Sequence, residues 1–92
     1  MDSMIQLEAR PRLSARTRLR HDRVRDRWLL LVPERGVVLN ASALAIVRCL
    51  GHGKTLGEIA ASLAEEAGQP SVADQVIAFV GRLAVRGYIE AA

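Results

Sequence analysis

The chain has one cysteine, no uninterrupted apolar run approaching about 18 residues, no internal repeat and no low-complexity tract, and these shortages close off whole classes of explanation. Cys49 alone can form neither an internal disulfide nor a CxxC metal knuckle, so a cytoplasmic location is expected rather than an oxidising compartment. The opening MDSMIQLEARPRL carries two acids and no apolar h-region, which argues against a secretory signal, and membrane insertion is not expected either. His21, His52 and Cys49 fall in three different elements, too scattered to ligate a metal. Catalytic pairs are missing as well. Glu65 and Glu66 are adjacent and point apart on a helix, while Cys49 stands near the negative carboxyl end of a helix with no base beside it. Gly51-His52-Gly53 follows a helix rather than a strand and lacks the rest of a phosphate-binding fingerprint. No catalytic residue, metal or cofactor is therefore expected, and the chain is not read as an enzyme.

What is present fits one small domain. Ninety-two residues, half of them hydrophobic, allow a single thin core and leave no room for two. The net charge of +3 conceals an asymmetry. Arg10 to Arg35 holds nine arginines against Asp22, Asp26 and Glu34, whereas Gly36 to Ala92 holds four basic residues against five acidic ones. Twelve of the thirteen basic residues are Arg, which can reflect genomic base composition, so the basic third is open to two readings, a solvated surface or an anionic partner.

The most informative stretch runs from Trp28 to Leu63 and reads as hairpin, capped helix, glycine turn and second capped helix. A first edge-like strand is expected over about 16–22 and a central strand over 27–32, the strongest apolar run. Pro33 suits the second position of a type I turn, Gly36 is expected to supply a left-handed conformation, and Val37 to Leu39 closes the hairpin. Asn40 then caps a helix over about 41–50, and Thr55-Leu56-Gly57-Glu58 has the capping-box spacing for a second over about 56–67. Ser71 to Asp74 opens a third over about 72–86 in the same style, with Val72, Val76, Phe79, Val80 and Leu83 on one face. Tyr88 and Ile89 suit a short closing strand, and residues 1–15 read as an irregular arm ahead of one domain over 16–92. The order implies an α+β fold, a three-stranded antiparallel sheet followed by a winged-helix-like bundle of three helices.

Two function classes remain. Strand 27–32 is apolar at odd and even positions alike, so both of its faces want cover while the helices can cover one. The amino-terminal arm, a second copy of the chain or a client could supply the rest, and homodimerisation is expected on this ground. An edge strand beside a helix also offers a groove to which an extended peptide can add. The alternative, a winged-helix-like DNA-binding regulator, is weakened because the third helix carries only Arg82 and Arg86 near its end and Asp74 near its start.

The pieces Leu30-Leu31-Val32-Pro33-Glu34, Val37-x-Leu39-Asn40-x-Ser42-Ala43-x-x-Ile46-Val47 and Thr55-Leu56-x-Glu58-Ile59 resemble the pyrroloquinoline quinone biosynthesis protein D family, and Arg12-Leu13-Ser14 with Arg18-Leu19 resembles its lead-in. The resemblance implies a wing-like domain serving as a peptide chaperone. Such a domain binds the precursor peptide of the quinone and presents it to a radical S-adenosylmethionine enzyme that cross-links a Glu and a Tyr of that peptide. In related recognition domains the leader adds as a strand beside the third strand, against the third helix. On that carry-over Val37, Val38 and Leu39 line the added strand, with Phe79 and Arg82 placed on the helix side by helical spacing. Two turns depart from the family pattern: Pro33-Glu34-Arg35-Gly36 stands for Pro-Glu-Gly, and Gly51-His52-Gly53 for Asp-Gly.

Overall fold

The computed structural model describes residues 6–91. Its strands are β1 (Pro11–Leu13), β2 (Arg18–Asp22), β3 (Arg27–Val32), β4 (Arg35–Leu39) and β5 (Ile89–Ala91), and its helices are α1 (Ala41–Arg48), α2 (Leu56–Ala67) and α3 (Ser71–Val85). Strands β2, β3 and β4 form an antiparallel sheet with β3 in the middle, and three helices follow, the α+β arrangement that the residue pattern implies. Register runs from Arg18↔Leu31 to Asp22↔Arg27 on one side of β3 and from Val32↔Arg35 to Trp28↔Leu39 on the other. Side-chain alternation then sends Leu30, completely buried, toward the helices together with Val37 and Leu39 from β4.

The core under the sheet joins Leu30 and Leu39 to Ile46, Val47, Leu56, Ile59, Val76, Val80, Leu83 and Tyr88. Full burial of a single leucine such as Leu30 contributes about 1.5–3 kcal/mol, and the helix stripes supply its partners. Local signals fix the first two helices. Asn40 Oδ1 accepts the Ala43 N–H at 2.8 Å, and at α2 the Thr55 hydroxyl accepts the Glu58 N–H at 3.1 Å while the Glu58 carboxylate accepts the Thr55 N–H at 2.8 Å. Gly68, at φ 67°, closes α2 in the left-handed conformation.

Three local expectations are corrected. Gly36 is not left-handed: the two-residue turn Pro33–Glu34 suffices, and Gly36 already lies in the β3–β4 ladder opposite Leu31. Ser71 does not cap α3, because Pro70 is already helical at φ −57° and no side-chain cap bond forms. The lead-in is not irregular throughout. Pro11–Leu13 pairs with Ile89–Ala91, and the carbonyls of Ala9 and Leu7 accept the Leu56 and Gly57 N–H groups at the start of α2. This segment thus satisfies helix donors that α2 cannot pair internally.

Candidate functional site

Strand β4 pairs with β3 on one side, and among the described residues nothing pairs with its other edge. Val32 and Arg35 close the hairpin turn. Alternation of antiparallel ladder bonds from that pair sends the N–H and C=O of Arg35, Val37 and Leu39 toward β3 and those of Gly36 and Val38 toward the free edge. The edge therefore offers a short row of backbone donors and acceptors to another extended chain.

Helix α3 is tied to β4 at one end and to α1 at the other. Arg35, at the start of β4, donates to the Arg86 carbonyl and holds its guanidinium 5.5 Å from the Tyr88 ring centroid. At the other end, where β4 passes into α1, Ser42, Ala45 and Ile46 share a shallow apolar cavity of about 220 Å³ with Leu63, Val72 and Gln75. Val72, Gln75, Phe79, Arg82 and Arg86 recur at the helical three-four spacing between these ends. Residues 75 to 86 of a helix and a strand from 35 to 40 both cover about 16 Å, and the stripe meets β4 at its Arg86 end and α1 at its Val72 end.

Of the residues expected from sequence, Val38 is half exposed (51%) and projects from the sheet face away from the helices. Val37 is partly buried on the helix side, and Leu39 is buried in the core at 6% exposure, so Leu39 can offer a ligand only its backbone. Phe79 packs partly on the core and Arg82 lies over it, 6.0 Å from the ring centroid. Arg35 and Arg86 were missed. Their pairing joins residues 51 apart in sequence, which no local pattern announces, although Arg86 continues the spacing of Phe79 and Arg82. Arg35, Arg82 and Arg86 are exposed and, among the described residues, none is ion-paired, so the groove carries positive charge at its β4-start end.

Elsewhere the side chains that could carry chemistry are engaged in structure. His21 stacks on Trp28, with ring centroids 4.7 Å apart, because both face the same side of paired strands. Cys49 is half-buried at the end of α1, its thiol directed to the Ala45 carbonyl at 3.3 Å, and the His52 ring meets the Arg48 carbonyl at 3.1 Å. No group of three or more His, Cys, Asp or Glu that could hold a metal exists among the described residues. No helix there is long and apolar enough to cross a membrane. Two carboxyls sit below their ordinary range: Asp22 chiefly through the Arg25 N–H in the β2–β3 turn, and Glu58 chiefly through the Thr55 N–H in the capping box.

The amino-terminal half of α3 bears Asp74 and no basic residue before Arg82, the opposite of a DNA-reading helix. Comparison with known proteins points to peptide recognition instead. The family described as Coenzyme PQQ synthesis protein D (PqqD) matches residues 27–89. A protein of Xanthomonas oryzae pv. oryzae named PqqA binding protein is 44% identical over 64 residues, 70% of each chain. One of the same name from Xanthomonas campestris pv. campestris is 45% identical over the same share. Among solved structures, the PqqD portion of Methylobacterium extorquens PqqCD superposes with a TM-score of 0.74 at 28% identity, covering 96% of both chains. It is described as a functional, stand-alone recognition element for ribosomally synthesized and post-translationally modified peptides.

Proposed function

Because the chain belongs to the PqqD family, we propose that it is a non-catalytic peptide-binding adaptor of pyrroloquinoline quinone biosynthesis. Its ligand is the ribosomal precursor peptide, bound by strand addition to the free edge of β4 and presented to a radical S-adenosylmethionine enzyme in the cytoplasm. The observation that carries this reading is the unpaired β4 edge, whose first residue, Arg35, is bonded to Arg86 at the end of α3. Backbone groups of Gly36 and Val38 supply the ladder bonds and hence most of the affinity, while side-chain contacts with Val37, Phe79 and Arg82 select the sequence. Val38 flanks the added strand on the opposite sheet face, and Leu39 contributes backbone alone. Arg35 and Arg86 close the groove at the β4-start end and favour a peptide with a carboxylate there.

The test is a titration of isotope-labelled protein with the precursor peptide, followed by amide shifts. Large shifts confined to Gly36–Leu39 and the 75–86 flank of α3 are expected. Their absence at millimolar peptide overturns strand addition at this edge.

A further inference from the structure

Among the described residues, the sheet face turned away from the helices is left outside the core packing. Register puts Arg27, Leu29 and Leu31 of β3, Arg18, Arg20 and Asp22 of β2, and Gly36 and Val38 of β4 on this side. Leu29, Leu31 and Val38 do not pack against the core, and the described lead-in, which runs along α2 and β5, does not cover them. Two shallow clefts flank Leu31. One, of about 380 Å³, is lined by Arg20, Asp22, Arg23 and Leu29, and the other, of about 230 Å³, by Arg16, Arg18 and Pro33. The face is thus an apolar strip bordered by arginines.

Charge decides the occupant. Asp22 is shared by Arg25 at 3.8 Å and Arg27 at 3.6 Å, and Glu34 is taken by Arg16 at 2.9 Å. Arg18, Arg20 and Arg23 are exposed and, among the described residues, have no ion pair. A second copy stacked face to face would set these arginines against their own counterparts, and Asp22, the carboxylate on this face, is already shared by Arg25 and Arg27. A surface with an apolar centre and a carboxylate rim complements the face instead.

Position decides what kind of protein carries that surface. A peptide strand added to β4 widens this same face, because its residue opposite Val38 points outward beside Val38, about 5 Å away. Whatever covers the face then touches both this chain and the bound peptide. We infer that the Leu29–Leu31–Val38 face, with Arg18 and Arg20, docks the enzyme that receives the peptide, through an apolar patch ringed by acidic side chains. The inference rests on the peptide-adaptor reading. It adds that peptide and enzyme bind cooperatively, each raising the affinity of the other by the same factor.

The experiment uses the full chain, the precursor peptide and the purified radical S-adenosylmethionine enzyme, with R18E/R20E and L29Q variants checked for an intact amide spectrum. Peptide affinity of R18E/R20E is expected to stay within about twofold of the parent chain while enzyme affinity falls at least about tenfold, more steeply at low salt. L29Q tests the apolar strip without altering charge and is expected to weaken enzyme binding as well. Unchanged enzyme affinity in both variants overturns the inference while leaving peptide binding intact. A parent chain that sediments as a dimer, and becomes monomeric in L29Q, overturns it in favour of a second copy. Failure of the peptide reading shows separately, as missing shifts at Gly36–Leu39.

Discussion

The Leu31 side chain lies across Gly36 on the neighbouring strand, its Cδ2 occupying the space a Cβ would need there, with the Leu30 carbonyl 3.3 Å from the same point. The glycine is thus explained by close packing on the outer sheet face, not by turn conformation. A methyl at this position forces Leu31 to rotate, and Leu31 is flexible enough to do so at modest cost. G36A is expected to destabilise the protein by about 1 kcal/mol, and by clearly less in an L31A background, in urea denaturation of the two single variants and the double.

Val38 offers the sharpest test of the edge. Its N–H points away from β3, so V38P removes a donor from the free edge and obstructs an added strand without breaking a ladder bond to β3. Peptide affinity is expected to fall at least about tenfold, while the thermal midpoint changes by only a few degrees. Unaltered binding by calorimetry would place the peptide elsewhere.

On α3, Arg82 and Phe79 should behave differently. Arg82 is exposed and rests on Phe79, so R82A is expected to leave stability within about 0.5 kcal/mol and to weaken peptide binding severalfold, with a flatter salt dependence than the parent. Phe79 packs on the core, and F79A should cost about 1–3 kcal/mol as well as peptide affinity. Stability from denaturant titration and affinity from calorimetry separate the two roles.

Acid should loosen α2 and the β2–β3 turn. Folding lowers the carboxyl pKa of Glu58 and of Asp22, so each stabilises the fold above its unfolded pKa, and that contribution is lost as pH falls through the lower folded value. The expected result is a thermal midpoint that is flat at neutral pH and declines below the ordinary carboxylate range. E58Q should decline less steeply, since it removes one of the two titrating groups. Separately, T55A should cost about 1 kcal/mol through loss of the hydroxyl acceptor.

Cys49 and His52 sit within one turn of each other, yet both are spent on backbone carbonyls. The C49A/H52A double variant is expected to support precursor processing at the parent rate in a reconstituted reaction. A loss of processing with peptide and enzyme affinities unchanged would show that one of them takes part in the chemistry.

The order of the sheet strands and helices, the Asn40 cap and the Thr55–Glu58 capping box all follow from signals that span a few residues, and these were legible in the sequence. The Pro70–Ser71 start of α3 was misread because a helical proline displaced the expected cap. Half of the groove was missed for a different reason. Arg35 belongs to it only because its guanidinium crosses from the sheet to the end of α3.

By itself the sequence determined the α+β architecture, since periodicity, caps and turn chemistry act locally and each chooses one conformation, while the choice of the β4 edge came from the family resemblance. Tertiary structure decided what the edge faces and what surrounds it. The Pro11–Leu13 segment becomes a strand only when β5 returns beside it, and Arg86 meets the start of β4 only when α3 brings it to Arg35. The arginines of β2 border an apolar strip only when register sets them beside Leu29 and Leu31. These relations pair residues far apart in the chain, and chain closure and packing, rather than local preference, bring them together.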